Sequence, residues 1–122
     1  MNFYQQRLAL LRDLGFSPKV IYDIGAWRGE WSKQAEPVFR DSNFYLFEAN
    51  KKHIPVLEKQ RHPFFIALLG DQEKPTTFYT TITEGFETGD SIFKENTNFY
   101  SEKTCREIVL PMKTLFNESQ RQ

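Results

Sequence analysis

Three short apolar runs, each ending in an acid, constrain the fold of this chain more than any other feature. They are "KVIYD" at 19–23, "NFYLFE" at 43–48 and "FFIALLGD" at 64–71. β-branched and aromatic residues dominate them, as suits a pleated strand buried among other elements. The intervening stretches are long enough to hold helices. Strand, helix and strand in that order make parallel βαβ units, so the three acids fall at the same edge of one sheet. Ligands of open α/β sheets bind at that edge.

The rest of the chain fits around these runs. Residues 3–14 read as an amphipathic helix with Tyr4, Leu8, Leu11 and Leu14 on its inner stripe. Gly15 takes the place of a C-terminal cap, and Pro18 stops the helix. A second helix is expected over 30–39, with Trp31, Ala35 and Val38 inward and a kink or early end near Glu36, because Pro37 removes a backbone donor. Asn50 is placed to cap a third helix reaching Gln60, with Pro55 in its first turn. The run at 64–69 reads as one continuous strand covered on both faces.

Beyond it the pattern changes. "TTFYTTIT" at 76–83 alternates and reads as an antiparallel strand, 84–104 as a long loop, and 106–112 as a last strand. Thr114 is placed to start a short helix. The expected architecture is α/β: a partial doubly wound parallel sheet of three βα units, followed by an antiparallel β addition. Residues 1–122 form a single, incomplete domain on this reading, with 18–74 as the ligand-binding core and 75–112 as the β extension and long loop.

Composition removes several classes of function. The formal net charge of zero argues against nonspecific nucleic-acid binding, which needs clustered Lys and Arg. A single cysteine, Cys105, allows no internal disulfide, and the spacing of His, Cys and acids suggests no metal site. The first residues do not resemble a secretory leader, and no apolar run is long enough to span a bilayer. A reducing, cytoplasmic setting without membrane contact is the expectation.

The chemistry concentrates in "YDIGAWRGEW", residues 22–31. Gly25 permits a sharp turn and Gly29 a close approach of helix to strand or ligand. Asp23 stands just ahead of Gly25, where a carboxylate repels a pyrophosphate and suits a cationic group. S-adenosylmethionine carries a sulfonium and an amine and no phosphate, so Asp23 favours it over NAD. Glu48, 19 residues after Gly29, suits the hydroxyls of a ribose. Gly70 and Asp71 close the third run, where a carboxylate suits an adenine amine. Each acid alone is also an ordinary turn former or cap. Their joint position at consecutive strand ends makes the case for a nucleoside site.

"VIYDIGAWRGEWS" resembles the first motif of the FkbM family of S-adenosylmethionine-dependent methyltransferases. "YLFEAN" resembles the family's second motif, and "ALLGD", "GDSIFKENTNFY" and "LPMKTLFNE" follow in the family's order. The resemblance runs from about Val20 onward. It implies a Rossmann-like class I methyltransferase fold and methyl transfer, usually to an oxygen of a sugar or other small metabolite. By position it places Asp23, Gly25, Ala26 and Gly29 around the methionine part of S-adenosyl-L-methionine, with Trp27, at a variable family position, meeting the ligand through its backbone. Glu48 and Ala49 fall at the ribose, and Gly70 and Asp71 near the adenine.

The family continues with a strand of the type D-x-x-K-x-D-x-x-G-x-E, which this sequence does not reach. The expectation is therefore an N-terminal part of a longer enzyme, with "KVIYDI" as an uncovered sheet edge open to self-association. No residue is assigned as the catalytic base: His53 and His62 read as surface positions and Cys105 as packing. Tyr79, Phe86, Phe93, Phe99 and Tyr100 either line an acceptor pocket or pin the loop. The alternatives are a non-catalytic interaction module with a half Rossmann-like fold and, ranked lower, an NAD-dependent oxidoreductase half-domain.

Overall fold

The computed structural model describes residues 1–81, 90, 92–93 and 105–120. The chain divides into two compact units, Met1–Ile66 and Ala67–Gln122.

The first unit opens with helix α1, Phe3–Asp13. Asn2 and Gln5 cap it reciprocally: the Gln5 N–H donates to Asn2 Oδ1 at 2.9 Å, and the Asn2 N–H to Gln5 Oε1 at 3.1 Å. At the other end Gly15 lies at φ +105°, while the Phe16 N–H donates to Leu11 O and the Gly15 N–H to Arg12 O. That is the left-handed glycine cap expected there. Of the expected inner stripe Leu8 packs against the core, while Tyr4, Leu11 and Leu14 are exposed. The helix presents Ala9 to the core as well. Two polar tethers accompany this rotation: Gln5 Nε2 donates to Gln34 O, and Arg12 Nη1 to Val38 O.

Strands β1 (Val20–Ile24), β2 (Asn43–Glu48) and β3 (Phe64–Ile66) form a parallel sheet in the order β1-β2-β3. Tyr22 pairs with Tyr45 and Leu46 with Phe64. Alternation sends Ile21, Phe44, Leu46, Phe64 and Ile66 toward Ala9, Ala35, Val38, Phe39 and Leu57 in one core. Phe44, Leu46 and Leu57 are fully buried, and burying a side chain of that size contributes roughly 1.5–3 kcal/mol. The opposite face carries aromatics: Tyr22 meets Tyr45 and Phe47 edge-on, and Phe47 stacks on Phe65.

Helix α2, Glu30–Ala35, ends at Glu36, immediately ahead of Pro37, as the missing donor dictates. Trp31 is exposed, and Ser32 takes the inward place expected of it, beside Ala35. The third helical segment is shorter than expected. A 3-10 turn, Lys51–His53, leads into helix α3, Ile54–Leu57. Proline is tolerated only in a first turn, so Pro55 forces the α-helix to start beside it. This geometry turns His53 inward, to 3% exposure, against its expected surface place. His62, also expected at the surface, packs on Phe44 and contacts Glu36 at 3.0 Å.

In the second unit, strands β4 (Leu68–Gly70), β5 (Lys74–Thr81) and β6 (Cys105–Thr114) form a mixed sheet in the order β4-β6-β5. β5 runs antiparallel to β6, as its alternation predicts, and β4 runs parallel to β6. The continuous strand expected over 64–69 is thus two strands in two sheets, broken at Ala67. Six apolar residues suit two short strands as well as one long one, and apolarity does not specify the hydrogen-bonding partner. Helix α4, Leu115–Ser119, is capped by Thr114 Oγ1, which accepts from the Asn117 N–H. Phe86, Phe99 and Tyr100, in the expected loop, lie outside the described residues. Phe93 is exposed, and Tyr79 is half-buried on β5. Among the described residues no helix is long and apolar enough to cross a membrane.

Candidate functional site

The turn after β1 is built from backbone geometry that most residues resist. Gly25 and Gly29 lie at φ +75° and +79°, and Trp27 between them at +55°. Such values favour glycine and strain tryptophan by roughly 1–2 kcal/mol. The Gly25 and Ala26 N–H groups both donate to Phe47 O, at 2.8 and 2.9 Å. This shared acceptor ends the β1–β2 ladder and starts the turn. The Gly29 N–H then donates to Ala26 O at 2.8 Å and closes it.

The two glycines differ in what they admit. A Cβ on Gly29 would stand 3.3 Å from Leu46 Cδ2, so Gly29 serves the packing of α2 on the sheet. No atom of the other described residues lies within 4 Å of a Cβ built on Gly25, and Gly25 is exposed. The open space at Gly25 lets another molecule approach the backbone there.

Two carboxylates flank this turn in different ways. Asp23 Oδ2 accepts from Ser32 Oγ–H at 2.7 Å, so α2 orients the acid and leaves Oδ1 spare. Glu48, 8% exposed, accepts from the Trp27 N–H through Oε1 and from the Asn50 N–H through Oε2, each at 2.8 Å. It therefore ties the turn after β1 to the turn after β2. A carboxylate has about four lone-pair sites, so two remain for hydroxyl donors. The Trp27 N–H is thereby spent on Glu48. Ala49 is half-buried beside these groups in sequence, and Asn50 Oδ1 accepts from the Lys52 N–H, the cap expected of it.

Ser32, Asn50 and His53 stand out only in the structure as parts of the site. Ser32 follows Asp23 by nine residues on a separate element, and no local pattern marks that contact. His53 packs edge-on against Trp27, ring centroids 6.2 Å apart, and Arg28 lies over the Trp27 ring at 4.7 Å. Trp27 Nε1 and His53 Nε2 are both buried without a hydrogen-bond partner among the described residues.

Gly70 and Asp71 lie in the second unit, at the end of β4. A Cβ on Gly70 would fall 2.2 Å from Met112 Sδ, which gives this glycine a packing reason independent of any ligand. Asp71 is exposed. A separate groove of about 460 Å³ runs along α2 and α3, bordered by Arg28, Lys33, Glu36, Lys59, Arg61 and His62. Of the expected site residues only Gly29 lines it, so the groove and the acid-flanked turn are different features. Glu36 there is held by Arg61 at 2.5 Å and His62 at 3.0 Å. Among the described residues no group of three or more His, Cys, Asp or Glu is placed to hold a metal ion.

These features define an α/β protein whose first unit is a three-stranded parallel sheet with an acid-flanked glycine turn at its carboxyl edge. Compared with protein-family models, curated proteins and solved structures, the chain matches none.

Proposed function

We propose that this chain supplies the cofactor-binding part of an S-adenosyl-L-methionine-dependent methyltransferase acting on an oxygen of a small metabolite or sugar-type acceptor. One observation carries the reading: an open Gly25 between Asp23 and Glu48, at the carboxyl ends of adjacent parallel strands. The sequence resemblance to the FkbM family supports the same assignment.

The residues present suit that cofactor. S-adenosyl-L-methionine supplies the activated methyl group on its sulfonium. Asp23, oriented by Ser32, sets a negative field beside Gly25, where a positive sulfonium or amine is favoured and a pyrophosphate is not. Gly25 admits the ligand against the backbone. Glu48 has acceptor capacity left for ribose hydroxyls. Gly70 and Asp71 keep their proposed place near the adenine through the resemblance alone.

Isothermal titration of S-adenosylhomocysteine into the 122-residue chain tests the reading, with Asp23→Ala and Glu48→Ala as partners. Binding that weakens at least tenfold in both variants supports it. Unchanged affinity in both, or NADH binding without any response to S-adenosylhomocysteine, would overturn it. A second reading, a non-catalytic interaction module, is favoured by the edge position of β1, whose Val20, Tyr22 and Ile24 are exposed.

A further inference from the structure

Trp27 Nε1 and His53 Nε2 are the two buried side-chain polar atoms without a partner among the described residues, and they belong to one ring pair. Leaving such a group unsatisfied is costly, and native structures rarely do so without reason. Their place supplies a reason. Trp27 sits on the turn after β1 and His53 on the turn after β2. Glu48 bonds the Trp27 N–H, and it also bonds the N–H of Asn50, whose carbonyl accepts from the His53 N–H. The orphaned ring atoms therefore belong to the two turns that Glu48, the carboxylate proposed to hold a ribose, ties together.

We propose that Trp27 and His53 complete a hydroxyl-binding element with Glu48, an inference that rests on the nucleoside reading above. The chemistry selects the ligand group. An indole N–H only donates, and an imidazole Nε2 donates or accepts according to its tautomer. Two donors alone would suit an anion, but Glu48 beside them repels one. A neutral hydroxyl satisfies all three: it donates its proton to Glu48 and accepts from Trp27. His53 Nε2 takes the remaining position, or the neighbouring hydroxyl of a vicinal diol.

Both ring atoms are sealed from solvent, so the proposed binding requires the Trp27 side chain to turn. Trp27 is half-buried, and its backbone is already in a strained conformation.

The test separates this element from the function it serves. S-adenosylhomocysteine and its 2′-deoxy and 3′-deoxy counterparts are titrated into the unsubstituted chain, Trp27→Phe and His53→Gln, with thermal melts checking the fold of each variant. Trp27→Phe keeps an aromatic ring and deletes the N–H. It is expected to weaken S-adenosylhomocysteine by up to about tenfold, the scale of one hydrogen bond. It should weaken one of the deoxy counterparts far less. His53→Gln keeps a polar end and is expected to fall between. Equal weakening for all three ligands would overturn the hydroxyl element and leave the methyltransferase reading standing. No binding of any of them by the unsubstituted chain would remove both.

Discussion

At the residue scale, Glu48 carries more structure than an acid at a strand end usually does. Both its oxygens accept backbone N–H groups from different turns. A glutamine there offers one oxygen and one NH2, so one of the two N–H groups would face a donor. Glu48→Gln is expected to lower unfolding free energy by about 1–3 kcal/mol, the penalty for an unsatisfied buried group. Urea denaturation measures it, and unaltered stability would show that the turns do not depend on the carboxylate. Gly70 makes a second residue-level case. Met112 is 4% exposed and its Sδ, Cε and Cγ all crowd the position of an added Cβ. Gly70→Ala should destabilise by about 1–3 kcal/mol through overpacking. Adding Met112→Ala should leave a smaller increment from the glycine change, and an unchanged increment would show that the Met112 clash is not its cause.

The same scale shows what a sequence can and cannot reveal about a site. Asp23, Gly25 and Glu48 were legible because their joint position at the ends of consecutive apolar runs sets them apart from single turn formers. His53 was not legible. Its inward turn follows from the 3-10 geometry that Pro55 imposes on Lys51–His53, and Asn50-Lys51-Lys52 reads as a solvated face. Trp31 lost its expected inward place to Ser32 because the rotation of a six-residue helix cannot be read from hydrophobicity alone.

At the element scale, the caps at Gly15 and Asn50 were legible, whereas the far end of the third helix and the helix rotations were not. Gly15 and Asn50 announced their caps through backbone chemistry that is local. The inner face of α1 depends on where Gln34 O and Val38 O stand, and both lie on other elements. The cap at the start of α1 is open to measurement. Asn2→Ala removes the acceptor for the Gln5 N–H, and should cost about 0.5–2 kcal/mol in chemical denaturation. A chain of unchanged stability would show that α1 is held by its tethers alone.

Helix α4 supplies a pH-dependent element. Asn117 Nδ2 donates to Glu73 Oε1 at 2.5 Å. That bond, aided by Thr114 and Lys113, holds the Glu73 carboxyl below the ordinary value of 4.5. A depressed folded value means the unfolded chain takes up the proton first as pH falls. The stabilisation is therefore fully present above about pH 4.5 and is lost as pH drops through the lower folded value. Glu73→Gln should differ from the unsubstituted chain at neutral pH and converge with it in acid. A stability difference independent of pH would show that the carboxylate charge is not involved. Glu73 is exposed, so the effect is small and needs matched titrations.

At the scale of the whole molecule, the order α-β-α-β-α-β was legible, but the exchange of strand partners at Ala67 was not. Phe64–Ile66 follows β2 and Leu68–Gly70 follows β6, a choice made by residues more than forty positions apart. The same topology leaves β1 at the edge of its sheet. Among the described strands β1 pairs on one side only, with β2, and its Val20 and Ile24 are 49% and 55% exposed. Such an edge is a template for another strand unless a charge or a bulge blunts it. A lysine at position 20 would supply that charge without entering the core, since Val20 points away from the helices. Val20→Lys should therefore reduce concentration-dependent self-association, read as a lower weight-average mass in sedimentation equilibrium at the highest concentrations. The melting temperature at low concentration should hold, because the substituted side chain is half-exposed and outside the packed core. Equal masses for the two chains across the whole concentration range would show that the β1 edge does not drive association.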